Sequence, residues 1–522
     1  MSEKSMNRRS FIQTGAAASL AALAGVRCQP ARRRPNILFI MSDDHAAQAV
    51  SCYDGRINRT ANIDRIAGEG ARFINSFCTN AICAPGRASL LTGKYSHING
   101  QIDNNVTFDG GQPTFPKLLQ ATGYETALVG KWHLKSDPTG FDYWNIVPDQ
   151  GHYYNPDFIE MGVQSRREGY ATDLTTDFAL EWLKQRQGEK PFCLLLHHKA
   201  PHRNWMPAPR HYTLYRNTRF PVPDNFFDDY AGRSAAAREQ EMEIARHMLL
   251  CYDLKMPLTP EELAAPGGAN DDRMWRDGYE RMTPGQRRAW DAAYQPVIDD
   301  FRARKPEGGE LALWKYQRYL EDYLATIAAV DENIGRVLDY LDAAGLSEDT
   351  LVVYTSDNGF FLGEHGWFDK RFMYEESLRT PLVMRYPHAI APGRLPEEMV
   401  LNIDLAPTFL DYAGAAVPAE IQGASLRPLL AGRAPAGWRQ SIYYHYYEHP
   451  GWHMVKKHYG VRTQRYKLIH FYDDIDAWEF YDLQEDPREM HNLYGDPASA
   501  SIIAELKTEL QRLRAYYREP RV

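Results

Sequence analysis

The sequence is organised around the stretch Cys83-Ala84-Pro85-Gly86-Arg87, which continues directly as Ala88-Ser89-Leu90-Leu91-Thr92-Gly93-Lys94. Pro85 and Gly86 are poor residues for a helix interior, which predicts that Cys83 lies on a turn. Residues 88–91 then fit the first turns of a helix. We therefore expect Cys83 near a helix N-terminus, where backbone N–H groups and the helix dipole favour an anion.

Cys83 also has simpler interpretations. A lone cysteine is more often a small buried hydrophobic residue than a nucleophile, and it could be half of a disulfide or an activated thiolate. Six cysteines in 522 residues do not indicate a disulfide framework. The predicted turn before a helix favours a reactive role.

Four short apolar runs elsewhere in the chain are predicted to be buried strands, at 36–41, 126–129, 192–196 and 350–355. Each run ends in a polar cluster, and in open α/β sheets ligands bind at the carboxyl ends of the strands. The clusters contain Asp43 and Asp44; Lys131 and His133; His197, His198, Lys199 and His202; and Asp357 and Asn358.

The adjacent carboxylates Asp43 and Asp44 are the clearest hint of a cation. Two such groups at the end of a buried strand repel one another unless a cation lies between them. The alternative is a solvated turn, which aspartates also favour.

The remaining periodicity predicts helices at 174–187, 316–341 and 403–413, with Gly345 as a C-cap, and a fifth strand at 381–385. A charged segment at about 231–309 is predicted to be a helical insertion on the surface, over the rim of the site. From about 438 onward, strands at 441–447, 466–471 and 478–483 precede a helix at 501–517. The predicted fold is α/β: a large mixed, mainly parallel sheet flanked by helices, with a smaller C-terminal antiparallel sheet and helix.

These patterns divide the chain into an export segment (1–31), a catalytic domain (34–435) and a C-terminal α+β subdomain (436–522). Hydrophobic residues make up 44% and charged residues 25%, as in globular proteins. A net charge of −8 argues against a nucleic-acid partner. It does not exclude an anionic substrate in a locally basic pocket.

The N-terminus carries a targeting signal. Residues 7–13, with Arg8 and Arg9, resemble a twin-arginine export signal, although an ordinary basic start is the alternative. The apolar run at 15–26 is too short for a stable membrane anchor, and no other stretch is long and apolar enough to span a bilayer. Arg27 stands where a lipobox needs a small residue, so lipidation of Cys28 is the less expected outcome. We expect the twin-arginine machinery as a partner and a location in the bacterial periplasm or beyond.

Together these motifs resemble the type I, formylglycine-dependent sulfatases of the alkaline-phosphatase superfamily, over residues 35–494. The resemblance implies that a maturation enzyme oxidises Cys83 to formylglycine, whose hydrate is the nucleophile. A serine could not replace it, because a sulfated serine has no second hydroxyl to expel the sulfate. The motifs that carry the resemblance are Asp43-Asp44, Cys83 to Arg87 with Leu91-Thr92-Gly93, Gly130 to His133, Ala200-Pro201-His202, Asp357-Asn358-Gly359, Lys370, and Tyr481-Asp482-Leu483 with Asp486-Pro487 and Asn492-Leu493.

The same resemblance implies roles for the site residues. Calcium is the expected cofactor, since the ligands implied are oxygens, supplied by Asp43, Asp44, Asp357, Asn358 and modified Cys83. The implied catalytic set is Arg87 on the sulfate, Lys131 and Lys370 against the sulfuryl charge, His202 or Lys370 as proton donor to the leaving alcohol, and His133 as general base.

The substrate is predicted from residues further along the chain. Asp369, Arg371, His453 and His458 are expected to bind sugar hydroxyls, as their segments resemble those of N-acetylglucosamine-6-O-sulfatases; a solvated rim is the alternative. The hypothesis is an exo-acting 6-O-sulfatase on a glycosaminoglycan-type saccharide. Some relatives have a further serine or histidine between the Lys131 and His202 motifs, for which His152 is the nearest candidate. A phosphonate or phosphodiester hydrolase, or a non-catalytic binder of sulfated glycans with unmodified Cys83, are the competing functions.

Overall fold

The computed structural model, which describes residues 34–188 and 190–520, is built on a nine-stranded mixed sheet. The predicted export segment, including Arg8, Arg9 and Cys28, lies outside the described residues. In spatial order the strands are Ala71–Arg72, Leu382–Arg385, Thr350–Ser356, Asn36–Ser42, Phe192–His198, Glu125–Lys131, Tyr143–Val147, Asp157–Glu160 and Val163–Arg166.

The five central strands, from Thr350–Ser356 to Tyr143–Val147, are parallel, and the outer strands are antiparallel. Ser42 lies opposite both His198 and Ser356, so three strands end at the same level. The polar clusters that follow these strands therefore meet at one edge of the sheet. All five predicted strands are confirmed, and the strands at 71–72, 143–147, 157–160 and 163–166 were not predicted.

Helices cover both faces of this sheet. Ile37 and Phe39 point to a core that includes Leu91 of one helix, whereas Leu38 and Ile40 point to a core that includes Val330 of another. Alternate residues of one strand are thus buried on opposite faces. The helices outside the insertion are Ala61–Gly68, Cys83–Thr92, Ser96–Asn99, Phe115–Ala121, Ala171–Gln185, Gly308–Ala343, Glu375–Leu378, Leu405–Ala413 and Arg427–Leu430.

The predicted helical insertion is confirmed, and its helices are Ala236–Glu239, Ile244–His247, Pro260–Ala264, Gly268–Tyr279 and Pro284–Arg304. The long amphipathic helix begins earlier than predicted, at Gly308, and Gly345 follows its end with a φ of +66°. Short 3-10 helices occupy Ala47–Ala49, Pro209–His211, Glu364–Gly366, Asn402–Asp404, Trp452–Met454 and Pro497–Ser499. Two small strand pairs lie outside the main sheet. One joins Phe361–Leu362 to Phe368–Asp369, and the other joins Val400–Leu401 to Ser76–Phe77.

The C-terminal region forms the predicted antiparallel sheet, with helix Ala500–Tyr516 packed on it. Its strands are Ser441–Tyr446, His458–Thr463, Tyr466–Phe471 and Ala477–Asp482, the second of which was not predicted. Side chains of this sheet share one hydrophobic core with Tyr95 and Phe372. The chain from Pro35 onward forms one compact unit, so the boundary predicted near 435 marks a change of architecture.

Among the described residues, all five cysteines are free, in agreement with the prediction that disulfides do not hold the fold together. Within the described ranges, no helix combines the length and the apolar character of a membrane span.

Candidate active site

The helix Cys83–Thr92 begins at Cys83 itself, and we call it the nucleophile helix after the role predicted for Cys83. The predicted turn at Pro85 and Gly86 is therefore wrong. Pro85 occupies the first turn, where the backbone N–H has no intrahelical acceptor to lose. Gly86 packs directly on the neighbouring backbone, because a Cβ at this position would lie 2.7 Å from the carbonyl oxygen of Asp357. The expectation that Cys83 lies at a helix N-terminus is confirmed.

Arg87 connects this helix to two strand ends. Its Nε donates to Asp357 Oδ2 at 3.1 Å, and its Nη1 donates to the carbonyl oxygen of Lys131 at 2.8 Å. Only 2% of Arg87 is exposed. The guanidinium is therefore fixed by two elements before any substrate binds.

Three buried carboxylates meet beside Cys83. One oxygen from each of Asp43, Asp44 and Asp357 lies within 4.8 Å of the others. Each carboxylate also contacts a different cation: Asp43 pairs with Lys131, Asp44 with Lys370, and Asp357 with Arg87.

This cluster fits a hard cation. Asp43 Oδ1 and Asn358 Oδ1 are buried and have no hydrogen-bond partner among the described residues. Burial raises the pKa of Asp44 to about 6 although Lys370 opposes the rise, and a bound cation would favour the charged carboxylate. A donor set made only of carboxylate and amide oxygens matches Ca²⁺ better than Zn²⁺.

Lys131, at the end of its strand, is joined to His133 through Gln150. Gln150 Oε1 accepts a hydrogen bond from Lys131 Nζ at 2.5 Å, and Gln150 Nε2 lies 3.0 Å from His133 Nε2. Burial, followed by the charge of Lys131, lowers the pKa of His133 to about 4. His133 is therefore a neutral imidazole at neutral pH, as a general base must be.

His202 and Lys370 stand on either side of Asp44. His202 Nε2 is 3.8 Å from Asp44 Oδ2, and Lys370 Nζ donates to the same oxygen at 2.5 Å. Nδ1 of His202 lies 2.8 Å from the carbonyl oxygen of Arg203, so it carries the proton and donates it there. Nε2 of this neutral ring then carries a lone pair, and burial lowers the pKa of His202 well below its usual range.

The predicted sugar-binding residues Asp369, Arg371 and His453 form one cluster at the cavity wall. Asp369 pairs with Arg371, and His453 Nε2 lies 3.1 Å from Asp369 Oδ2. Burial opposes ionisation, but Arg371, Lys370 and His453 hold the pKa of Asp369 well below its usual range. The carboxylate is therefore charged and fixed in position.

His458 is not part of this cluster, which corrects the prediction that it binds sugar. It is fully buried in the C-terminal sheet, among Phe372, Tyr444 and Phe471. Its Nδ1 lies 2.8 Å from the carbonyl oxygen of Lys456, and its Nε2 accepts a hydrogen bond from the backbone N–H of Met373 at 3.0 Å. Both ring nitrogens are used within the protein, so His458 supports the segment that follows Arg371.

Several site residues share an unusual backbone conformation. Asp44, His133, Asp369, Arg371 and His453 have φ values of 64°, 55°, 78°, 98° and 67°. Non-glycine residues adopt positive φ at a cost that the surrounding structure must compensate, and such residues cluster at functional sites.

The active-site cavity has a volume of about 170 Å³ and is open to solvent. The insertion contributes part of its wall, as predicted for the rim, and the C-terminal region contributes another part. Its lining residues are Cys83, Asn104, Gln150, His202, Arg203, Tyr252, Met274, Asp369, Lys370, Arg371, Trp452 and His453.

Gln150 and Asn104 were not predicted from the sequence, and both lie in loops. Gln150 lines the cavity, whereas His152 lies beside it and is paired with Asp277, so Gln150 and not His152 contacts the Lys131 motif. Asn104 accepts a hydrogen bond from the backbone N–H of Ala84 at 3.0 Å and so supports the start of the nucleophile helix. Neither residue belongs to a periodic pattern or a recognised motif, so no local signal marks it.

Comparison with known proteins agrees with this arrangement. The family profile described as "Sulfatase" matches residues 35–415, and the profile described as "N-sulphoglucosamine sulphohydrolase, C-terminal" matches residues 363–516. The chain is 53% identical to the N-acetylglucosamine-6-O-sulfatase of Bacteroides thetaiotaomicron, over 97% of this chain and 90% of the relative. It is 26% identical to the human N-acetylglucosamine-6-sulfatase, over 79% of this chain and 67% of the relative.

A solved structure described as a complex with its substrate D-glucosamine-2-N,6-O-disulfate superposes with a TM-score of 0.90 at 53% identity, covering 93% of this chain and 99% of that one. The predicted motifs thus meet in one cavity, within a fold and a sequence pattern shared with sulfatases. The chain belongs to the sulfatase family of enzymes.

Proposed function

We propose that this enzyme hydrolyses the 6-O-sulfate ester of glucosamine residues in glycosaminoglycan-type saccharides. The observation that carries the proposal is the cavity in which Cys83 lies with Lys370, His202 and the Asp369–Arg371–His453 cluster. The identity of 53% to an N-acetylglucosamine-6-O-sulfatase supports the choice of sugar.

Cys83 fits a role as the modified nucleophile better than a role as a thiolate. Burial raises the pKa of its thiol to about 12, so the unmodified side chain is neutral at neutral pH and a weak nucleophile. We propose formylglycine at this position, whose hydrated aldehyde supplies a nucleophilic hydroxyl and a second hydroxyl. The maturation enzyme that forms it is a proposed partner.

We also propose calcium as the resident cation, held by Asp43, Asp44, Asp357 and Asn358 together with residue 83. When bound, the cation supplies positive charge against the sulfate and the nucleophile. The protein supplies the remaining charge, because Arg87, Lys131 and Lys370 are all buried at the cluster. Buried cations in a site of low polarity stabilise developing negative charge more strongly than the same groups in water.

The experiment combines mass spectrometry and a substrate comparison. The protein is produced with a formylglycine-generating enzyme, and the peptide containing residue 83 is weighed. We expect the aldehyde at residue 83 and sulfate release from N-acetylglucosamine 6-O-sulfate, with Cys83→Ser as the inactive control. Release of sulfate only from galactose or iduronate sulfates would contradict the proposed sugar. Faster turnover of a phosphonate monoester or a phosphodiester would contradict the reaction class, and an active protein with an unmodified thiol would contradict the nucleophile.

For the cellular location, we propose export to the periplasm by the twin-arginine machinery, without lipidation of Cys28. The support is the Arg8-Arg9 pair followed by the short apolar run. Replacing both arginines with lysine should keep the enzyme in the cytoplasm, as measured by fractionation with activity assays. Unchanged periplasmic activity in that variant would contradict the proposal.

A further inference from the structure

A second cavity of about 200 Å³ adjoins the active-site cavity. Its own wall includes Lys199, His152, Tyr153 and Asn204. The two cavities share the lining residues Gln150, His202, Arg203, Tyr252 and Met274. A sugar bound in one cavity can therefore place a substituent in the other.

Lys199 is a buried cation that forms no ion pair within the described part of the chain. It is 6% exposed, and it follows the strand Phe192–His198 directly. Its ammonium lies 4.6 Å from the centre of the Tyr153 ring, but it forms no hydrogen bond or ion pair with any residue in the described ranges 34–188 and 190–520. Burying a charge without a partner is costly, so a lysine retained in this state is suited to bind an anion that enters the cavity.

No carboxylate of the described residues forms an ion pair with Lys199, although the more distant Asp44 and Asp149 oppose the fall in its pKa. Asp149 and Asp277 line the same cavity, but their side chains are 81% and 73% exposed at its mouth. Asp149 faces His133 at 3.4 Å, and Asp277 faces His152 at 3.0 Å. Burial lowers the pKa of Lys199 to about 8, which still leaves most of the ammonium protonated at neutral pH.

We propose that this second cavity is a subsite for an oxyanion of the substrate other than the sulfate that is cleaved, and that the Lys199 ammonium binds it. The inference rests on the proposed function and deepens it, because it makes a doubly anionic sugar the preferred substrate. The relative of similar structure has a substrate with both a 2-N-sulfate and a 6-O-sulfate. A 2-N-sulfate on the same sugar and the carboxylate of a neighbouring uronic acid share this chemistry.

The test compares wild-type enzyme with Lys199→Met on matched substrates. D-Glucosamine-2-N,6-O-disulfate and N-acetyl-D-glucosamine 6-O-sulfate differ at the nitrogen substituent. We expect the ratio of their kcat/KM values to fall about 10- to 100-fold in Lys199→Met, the range for a lost hydrogen bond to a charged group. Lys457→Met, which removes a half-buried lysine paired with Asp473 and outside both cavities, should keep the wild-type ratio.

A second pair of substrates identifies the source of the anion. It compares N-acetylglucosamine 6-O-sulfate alone with the same sugar linked to a uronic acid. If Lys199→Met lowers the ratio of kcat/KM values only for this second pair, the subsite binds the carboxylate of the uronic acid. Unchanged ratios for both pairs would overturn the proposal, since Lys199 would then act equally on all substrates or on none.

Binding measurements separate this inference from the proposed function. Calcium-loaded Cys83→Ser protein, with and without Lys199→Met, is titrated with the same compounds by calorimetry. The subsite is supported if Cys83→Ser protein binds the doubly anionic ligand with the lower Kd and the added Lys199→Met substitution removes this preference. This result would hold even if wild-type enzyme releases no sulfate. Absence of turnover on every 6-O-sulfate would contradict only the proposed function.

Discussion

At the scale of single residues, the orientation of His202 restricts how it can act. Its Nδ1–H is committed to the Arg203 carbonyl oxygen, so Nε2 can give a proton to a leaving alcohol only from the doubly protonated ring, which burial disfavours by lowering the pKa of His202 well below its usual range. Lys370 has N–H donors beyond the one it gives to Asp44. Both groups line the cavity, and the geometry is compatible with either as proton donor.

The leaving group distinguishes His202 from Lys370. The two variants to compare are His202→Gln and Lys370→Met. We expect the variant that removes the true proton donor to lose about 10²- to 10⁴-fold in kcat on a sugar sulfate. The same variant should lose far less on nitrophenyl sulfate, because a nitrophenolate leaves without protonation. Steady-state kinetics on both substrates provide the measurement. A variant that loses equally on both substrates would identify a residue that binds the sulfuryl group instead.

His458 provides a second prediction at this scale, concerning stability. Burial lowers its pKa to about 3, whereas an unfolded chain has an ordinary histidine near 6.5. The folded-state pKa is depressed, so the neutral ring contributes stability that is complete above pH 6.5 and is lost as the pH falls toward 3. At pH 5 the loss is about 2 kcal/mol.

Urea unfolding of wild-type protein and His458→Gln at pH 7.5 and pH 5 measures this effect. We expect the difference in unfolding free energy between them to shrink by about 2 kcal/mol at the lower pH. If the unfolding free energies of both proteins change equally between the two pH values, His458 has an ordinary pKa and the prediction is wrong. His453→Gln is the matched comparison for function, and it should raise KM because His453 lines the cavity.

At the scale of secondary-structure elements, the nucleophile helix depends on a close approach at Gly86. A methyl group there would meet the Asp357 carbonyl oxygen at 2.7 Å, so the helix or the carboxylate loop must move. We expect Gly86→Ala to cost about 1–3 kcal/mol of stability and to abolish most activity. Gly68→Ala is the control, because its Cβ meets nothing within 4 Å; it should be neutral or slightly stabilising. Thermal unfolding and sulfate release measure both, and a fully active Gly86→Ala would contradict the argument.

The secondary-structure elements differ in how well the sequence predicts them. The central strands were predictable because both faces are buried, which leaves continuous apolar runs with polar residues at their ends. The strand His458–Thr463 was missed, since His458, Gly460 and Arg462 interrupt any apolar pattern and become buried only through tertiary contacts. Gln150 gains its contacts with Lys131 and His133 only through folding, which no local pattern records. The start of the nucleophile helix was misplaced because Pro85 was weighed as a helix breaker, although a first turn accepts it.

At the scale of the whole molecule, the cation site and the cavity join distant parts of the chain. The carboxylates follow two parallel strands and contact the nucleophile helix, while the insertion and the C-terminal region complete the cavity wall. Lys467 anchors the C-terminal sheet, since its buried ammonium lies 2.9 Å from Glu375 and 2.6 Å from Glu489. Binding at such a junction is coupled to global unfolding.

Removal of the cation should therefore destabilise the whole protein. A ligand present at a thousand times its Kd stabilises the folded state by about 4 kcal/mol, so chelation should lower Tm and abolish sulfate release. We expect Ca²⁺ to restore both, and Zn²⁺ to restore less because the proposed ligands are all oxygens. Calorimetric scans before and after chelation make the measurement. Asp43→Asn is the control, and its Tm should respond less to Ca²⁺; an unchanged wild-type Tm after chelation would contradict a structural cation.

The burial of Cys83 also has a consequence for the order of folding and of the proposed oxidation of this residue. Only 1% of this residue is exposed once the chain has folded, and it lines a cavity of about 170 Å³. An enzyme that oxidises Cys83 must therefore reach it while the chain is still extended, during or just after synthesis. A molecule that folds first is permanently beyond reach of that enzyme. If Cys83 is converted to formylglycine as we propose, the active fraction of a preparation should depend on how fast the chain folds relative to the oxidation of Cys83. Later incubation of the folded protein with the maturation enzyme should not raise that fraction.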